Sequence, residues 1–367
     1  KIVVNDVEQT EGITVELEKD TSVTLAYGKQ YKIKITGFDS KAYQVKMIIP
    51  AGTLVDQSGN ESKETEFLLF SCLKPTRTEI EATSPFLENT ALERQKIEKV
   101  IFQDNLDGVN STRWDVSAQE DGSIIGWYET TSKGTYIVHI GGYNGIYANS
   151  DSGYLFSYIG YADICTETET IVNLDLLNVS NVSNMSYMFA YTGYRSMTSL
   201  DLGENFDTSN VTDMYAMFFY TGHEAMINFN LRDNFDTSEV TTTAYMFFHT
   251  GDTAMTGLDL GNKFNTSKVT SMNAMFGNTG HTAMTSFNLG DNFDTSNVTD
   301  MSWMFMDLGY EKLTTLSLGN KFNTSKVTDM TGMFHYCGYS SMTTLDLGEN
   351  FDTSNVTTMN AMFHNCG

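Results

Sequence analysis

The sequence predicts a repeat solenoid behind a small all-β sandwich, and three observations carry that expectation. Phe206-Asp207-Thr208-Ser209 returns as Phe235-Asp236-Thr237-Ser238, Phe264-Asn265-Thr266-Ser267, Phe293-Asp294-Thr295-Ser296, Phe322-Asn323-Thr324-Ser325 and Phe351-Asp352-Thr353-Ser354, always 29 residues on. A fixed period of this length marks a stacked array, in which each unit buries its apolar face against the next. A degenerate copy, Leu177-Asn178-Val179-Ser180, stands one period upstream. Ahead of the repeats, apolar and polar residues alternate through 1–73, as in Ile13-Thr14-Val15-Glu16-Leu17 and Tyr31-Lys32-Ile33-Lys34-Ile35. Short alternating runs broken by turn residues are a sandwich pattern. Finally, Pro50, Pro75 and Pro85 all precede the repeats, as expected where coils must pair backbone with their neighbours.

Residues 1–73 form the expected sandwich, short enough that its first strands could lie upstream. Residues 74–84 read as a linker. Residues 85–170 read as an α+β cap, because the first coil of a stack would otherwise expose its core. Within the cap, Thr90-Ala91-Leu92-Glu93 has the form of a capping box. It predicts a helix near 86–98 with Leu92, Ile97 and Val100 on one face. Strands are expected at Val100-Ile101-Phe102, Ile124 to Tyr128 and Tyr136 to Ile140. Residues 171–367 hold about seven repeats.

Each coil has two recognisable sides. Leu200/Leu202, Phe229/Leu231, Leu258/Leu260, Phe287/Leu289, Leu316/Leu318 and Leu345/Leu347 flank an outward polar residue. That alternation predicts a short strand per coil and a parallel sheet down the stack. Val211, Met214, Met217 and Phe218 recur at i, i+3, i+6 and i+7, which suits a helical or 3-10 return. All methionines except Met47 and Met306 fall in three columns of the repeat, beginning at Met185, Met188 and Met197. A residue recurring once per coil lines the interior, so the methionines read as core rather than as a soft-metal or promiscuous surface. Thr243 breaks one of these columns and would need a hydrogen-bond partner.

The Thr208-Ser209 columns read as a turn held by side-chain to backbone bonds, with Asp207 or Asn265 initiating it. An ice-ordering threonine face is the weaker alternative. The column after Phe alternates Asp207, Asp236, Asn265, Asp294, Asn323 and Asp352, and the copies that lose Asp gain Lys263 or Lys321 nearby. Stacked carboxylates repel, so this reads as charge relief, with Glu239 one coil from Lys268. Calcium is the functional alternative, and the Asn/Lys copies would break a repeating calcium site.

Net charge is −24. That excludes nucleic acid and anionic membrane surfaces, both of which demand clustered Lys and Arg. No apolar run reaches membrane-span length, so direct membrane insertion is not expected. No nucleophile elbow, P-loop, His-Glu-x-x-His or Cys-x-x-Cys motif is present, and no cofactor or catalysis is expected. Cys337 and Cys366 sit one period apart in the column of Thr192, Thr221, Thr250 and Thr279. They read either as a disulfide between adjacent coils or as two buried thiols. The chain begins without Met and ends inside a repeat, which reads as a fragment of a longer protein.

Two resemblances add to this. Ile48 to Asn60 is similar to the late strands of bacterial Ig-like surface modules, which implies an Ig-like sandwich acting as a spacer. Arg113-Trp114-Asp115-Val116-Ser117, Asp121-Gly122-Ser123-Ile124, Gly141 to Asn149 and the Asn-Val-Thr-x-Met-x-x-Met-Phe repeats resemble the BspA-like leucine-rich-repeat surface proteins of bacteria. That resemblance implies a leucine-rich-repeat-like solenoid at the cell surface or secreted. It also implies non-catalytic adhesion or protein binding to a host or neighbouring-cell surface or matrix protein, or to a glycan. The repeats here are a few residues longer than the usual family repeat, through connections such as Thr221-Gly222-His223-Glu224-Ala225. The variable residues of that connection, Tyr194, His223, Asp252, His281, Tyr310 and Tyr339, are the candidate ligand contacts, since aromatic and polar residues mix there as at protein interfaces. A stiff stalk presenting a binding head elsewhere is the structural alternative.

Overall fold

The computed structural model describes residues 80–143 and 145–367 throughout, residues 63 and 71–76, and the strand backbones between Ile2 and Phe70. Those strands are β1 (Ile2–Val4), β2 (Val7–Gln9), β3 (Thr14–Lys19), β4 (Tyr31–Thr36), β5 (Gln44–Ile49) and β6 (Thr65–Cys72). The alternating runs do pair: β3 and β4 are antiparallel with Val15 opposite Ile35 and Leu17 opposite Ile33. The turns expected between them, the run at Val23 and Leu25, and Pro50 to Asn60 lie outside the described residues, as do 77–79 of the linker.

The cap contains β7 (Pro85–Phe86), β8 (Asn89–Glu93), β9 (Ile97–Gln103), β10 (Trp114–Asp115), β11 (Ile125–Thr130), β12 (Tyr136–Gly141) and β13 (Ile146–Tyr147), and β14 (Ile171–Val172) and β15 (Leu177–Asn178) follow at the start of the repeats. Its centre is a five-stranded sheet in the order β10-β11-β12-β9-β14. The three strands expected here coincide with β9, β11 and β12. The expected helix near 86–98 is absent. Leu87 and Glu88 take left-handed φ of 43° and 67° and fold β7 back onto β8. The Glu93 carboxylate, which a capping box would spend on the backbone, instead binds Lys96 at 2.7 Å and Gln95 at 3.2 Å. Only a 3-10 turn, Arg94–Lys96, separates the strands. The cap is therefore all-β rather than α+β.

The Ig-like sandwich is also overturned among the described residues. A six-stranded sheet runs β15-β13-β6-β5-β1-β2, while β3 and β4 pair only with each other. The far edge of β6 is taken by the cap, with Ser71 opposite Ile146 and Cys72 opposite Tyr147 in parallel register. The strand that would belong to a self-contained sandwich thus continues into the following sheet.

The repeats correct the third expectation. No α-helix is present among the described residues. The strand sides form two separate parallel pairs, β16 (Asn228–Asn230) with β17 (Gly257–Asp259) and β18 (Thr315–Ser317) with β19 (Thr344–Asp346). A leucine-rich-repeat solenoid with a continuous sheet and helical returns is not what forms; the fold is almost all β and turn, in small sheets. The reason lies in where the backbone N–H groups point. Those of Met185, Tyr187, Phe189 and Tyr191 donate to Asp213, Tyr215, Met217 and Phe219 carbonyls in the next copy. Those of Met188, Ala190 and Thr192 donate three residues back. A helix keeps every such bond within itself, whereas here alternate residues hold the neighbouring copy. Left-handed residues break the run further: Tyr187, Ala216, Tyr245, Ala274, Trp303, Gly332 and Ala361 share one column, all at φ between 49° and 61°. Isolated parallel bridges then tie the copies in 29-residue register, from Asn184 to Asp213, Thr242, Ser271, Asp300, Asp329 and Thr358.

The core follows the columns. The three methionine columns are buried, with Met359 the exception. Phe206, Phe235, Phe264, Phe293 and Phe322 stack with centroids 6.3–6.5 Å apart. Burial of each such ring contributes roughly 2–3 kcal/mol. Buried Thr208, Thr237, Thr266, Thr295 and Thr324 each donate Oγ1 to a carbonyl of the next copy at 2.8–2.9 Å. Asp207 accepts from the Ser209 N–H at 3.0 Å and Asn265 from that of Ser267 at 3.0 Å, the turn read from the sequence. Lys268 pairs with Glu239 at 2.6 Å.

Candidate binding face

The longer connection puts one residue per copy on a lateral edge, each copy held by a backbone bond. The Glu224 N–H donates to Tyr194, Thr253 to His223, Thr282 to Asp252, Glu311 to His281 and Ser340 to Tyr310, all at 2.9–3.0 Å. A glycine opens each connection because the chain must turn left-handed there: Gly222, Gly251 and Gly280 have φ of 54–55°. A Cβ at Gly251 would sit 2.5 Å from Met255 Cβ.

The expected column is brought together for most of its length. Tyr194 lies 4.6 Å from His223 between ring centroids, and His223 Nδ1 is 3.7 Å from Asp252 Oδ2. His281 stacks on Tyr310 at 4.6 Å and 9°, and Tyr310 on Tyr339 at 4.9 Å. Candidate contacts would be expected to stand open to solvent; the structure half-buries all of them except Tyr339.

The half-burial has a cause that the sequence reading missed: a second column, three residues earlier in each copy. It runs Tyr158, Tyr191, Tyr220, His249, Asn278, Asp307 and Tyr336, every one at left-handed φ between 54° and 63°. Tyr158 stacks on Tyr191 at 4.7 Å, Tyr191 on Tyr220 at 5.1 Å and Tyr220 on His249 at 4.3 Å. The two columns lean on each other, as in the Tyr220–His223 contact at 5.3 Å and the Tyr336–Tyr339 contact at 5.4 Å. From Tyr191 on, the signal was present in the 29-residue phase, three residues before each chosen position, but it fell between the Val-x-x-Met-x-x-Met-Phe run and the longer connection.

Packing perturbs the band's titrations. Burial pushes the Tyr191 hydroxyl up to about 12. Burial lowers the His223 imidazole below its ordinary value, with Asp252 pulling the other way. Burial lifts the Asp307 carboxyl above the usual carboxylate range, against His281, His335 and His249. Of the ionisable groups on the face, only His223, His249 and Asp252 form a cluster of metal-ligand type among the described residues.

Cys337 and Cys366 are free thiols rather than a disulfide. Burial drives Cys337 well above the ordinary thiol range and also raises Cys366, which leaves both poor nucleophiles at neutral pH. His335 and His364 stack at 5.0 Å and 14°, as their one-period spacing implied.

Fold and face together define a tandem-repeat protein with a lateral band of aromatic, His and Asp side chains. The chain belongs to the family described as Mycoplasma protein of unknown function, DUF285, which matches residues 163–287 and 279–367. No curated protein and no solved structure matches it. No helix among the described residues is long and apolar enough to cross a membrane.

Proposed function

We propose that the chain is a non-catalytic binding module of a bacterial cell-surface or secreted protein of the BspA-like kind. Its partner is a surface or matrix protein, or a glycan, of a host or neighbouring cell. The observation that carries this is the two-column band. Core columns repeat from copy to copy, while the band changes from Tyr to His, Asp and Asn at positions the scaffold holds at fixed spacing. Ordered aromatic rings give contact area with little conformational entropy to lose. The net charge of −24 favours a basic or neutral partner surface.

The test is binding of the whole chain to an array of matrix proteins and glycans, beside a variant carrying Tyr194→Ser, Tyr310→Ser and Tyr339→Ser. Binding that falls at least tenfold in the variant supports the band as the contact surface. Binding unaffected by the variant moves the contact elsewhere on the chain. The ladder of inter-copy hydrogen bonds favours one second reading, a stiff stalk for a head elsewhere in a longer protein. Absence of binding by the chain, with a rod-like solution profile, supports that reading.

A further inference from the structure

We infer that His223, His249 and Asp252 form a binding site for a single zinc-type divalent transition ion, held across two successive copies of the repeat. One potential ligand atom from each residue lies within 4.8 Å of the other two. Asp252 Oδ2 stands between the imidazoles, 2.6 Å from His249 Nδ1 and 3.7 Å from His223 Nδ1. Zinc bonds of about 2.0–2.2 Å set tetrahedral ligands roughly 3.3–3.5 Å apart. The His223–Asp252 pair is close to that spacing already, and the His249–Asp252 hydrogen bond would open by under about 1 Å.

A further observation bears on the same atoms. His223 Nδ1 is buried and makes no hydrogen bond to the Asp252 carboxylate that it faces 3.7 Å away. A buried unpaired imidazole nitrogen is costly, and coordination satisfies it. The scaffold also limits ring movement. Tyr220 stacks on His249 at 4.3 Å and 18°, Phe248 meets the same ring edge-on at 4.5 Å, and Tyr194 packs on His223 at 4.6 Å. Two imidazoles with one carboxylate suit zinc, nickel or copper rather than calcium or magnesium, which take mostly oxygen. Three protein ligands leave a fourth position for water or for a donor from a binding partner. His249 is supplied by the left-handed column and His223 and Asp252 by the longer connection. The set occurs at one step of the array because only there do the two columns place two His beside an Asp.

The experiment measures zinc uptake by the untagged whole chain, with no partner present, by competition against a chromophoric chelator and by metal analysis after dialysis. Failure of zinc uptake is thus distinguishable from failure of the adhesion reading. One zinc per chain is expected, bound with micromolar affinity or better. His223→Ala, His249→Ala and Asp252→Asn should each weaken binding at least tenfold, and His364→Ala, at an exposed histidine outside both columns and the cluster, should leave it unchanged. Circular dichroism checks each variant's fold. Asp252→Asn is nearly isosteric, so it decides the matter should either Ala variant unfold. Less than stoichiometric zinc on the folded wild-type chain, or full affinity in folded Asp252→Asn, overturns the assignment.

Discussion

Thr243 and Thr250 are both fully buried, but their hydroxyls reach different acceptors. Thr250 Oγ1 donates to the Phe218 carbonyl at 2.6 Å, as Thr192, Thr221 and Thr279 do to their own preceding copies. Thr243 Oγ1 finds only the Met275 sulfur, at 3.3 Å, a weak acceptor. The same substitution should therefore have opposite effects. Thr243→Val removes a poorly paired buried hydroxyl and should raise stability by about 0.5–1.5 kcal/mol. Thr250→Val removes a well-formed buried bond, leaving the Phe218 carbonyl only the Thr221 N–H at 3.0 Å, and should lower it by about 0.5–1.5 kcal/mol. Denaturant unfolding of the two variants beside the parent checks both signs. At this scale the sequence was a good guide wherever a residue's role repeats. The methionine columns, the Asp207 turn and the Lys268–Glu239 pair were all legible by lining up copies. Arg94 was not. Its guanidinium is buried and donates to the carbonyls of Tyr154, Leu155 and Ser157 at 2.9–3.2 Å, over the Phe86 ring. Burial pulls it down to about 9. That role depends on a loop some sixty residues away in sequence, and no local pattern announces it.

Among the elements, the return segment shows most clearly why periodicity misled. Val211, Met214, Met217 and Phe218 have helix-like spacing, yet the chain there is a succession of tight turns. The spacing reports which residues face inward. It does not report which partner receives each N–H, and the fixed phase of the neighbouring copy decides that. The left-handed positions settle the matter, and glycine substitutions separate their two costs. Gly251→Ala meets both a left-handed φ of 54° and Met255 Cβ at 2.5 Å, and should destabilise by at least about 3 kcal/mol. Gly290→Ala has a similar left-handed φ of 79° but nothing within 4 Å of the added Cβ, and should lose only about 1–2 kcal/mol. Thermal melts of the two variants measure the difference. The capping-box signal at Thr90 failed for a related reason: the tight turn at Leu87 and Glu88 commits the segment to a hairpin before a helix can start.

For the molecule as a whole, the ladder of bonds makes each copy depend on its neighbours and on little else. Removing residues 264–292, one whole period, joins Lys263 to Phe293 in the phase that Lys263 and Phe264 already share. That deletion should leave a cooperatively folding chain with a modestly lower Tm, since nearest-neighbour terms dominate such arrays. Removing Asn292 alone shifts every later residue by one and should abolish the single transition. Circular dichroism melts distinguish the two. The existence of the array, its period and its core were legible in the sequence. Its lack of helices and the merging of β6 with the cap were not, because both depend on edge pairings between segments far apart in the chain.

The left-handed columns have one more consequence. At Tyr191, Tyr220, His249 and Asp307 the scaffold is held through the main chain, by N–H bonds of 2.7–2.9 Å to the next copy, while the side chains form the outer band. Identity at these sites is thereby uncoupled from architecture. Unequal exchange between two copies of the coding repeat would keep every structural contact in phase and reorder only the outward letters. The molecule works as a ruled page: the lines are fixed by the period, and what is written on them can be revised one copy at a time.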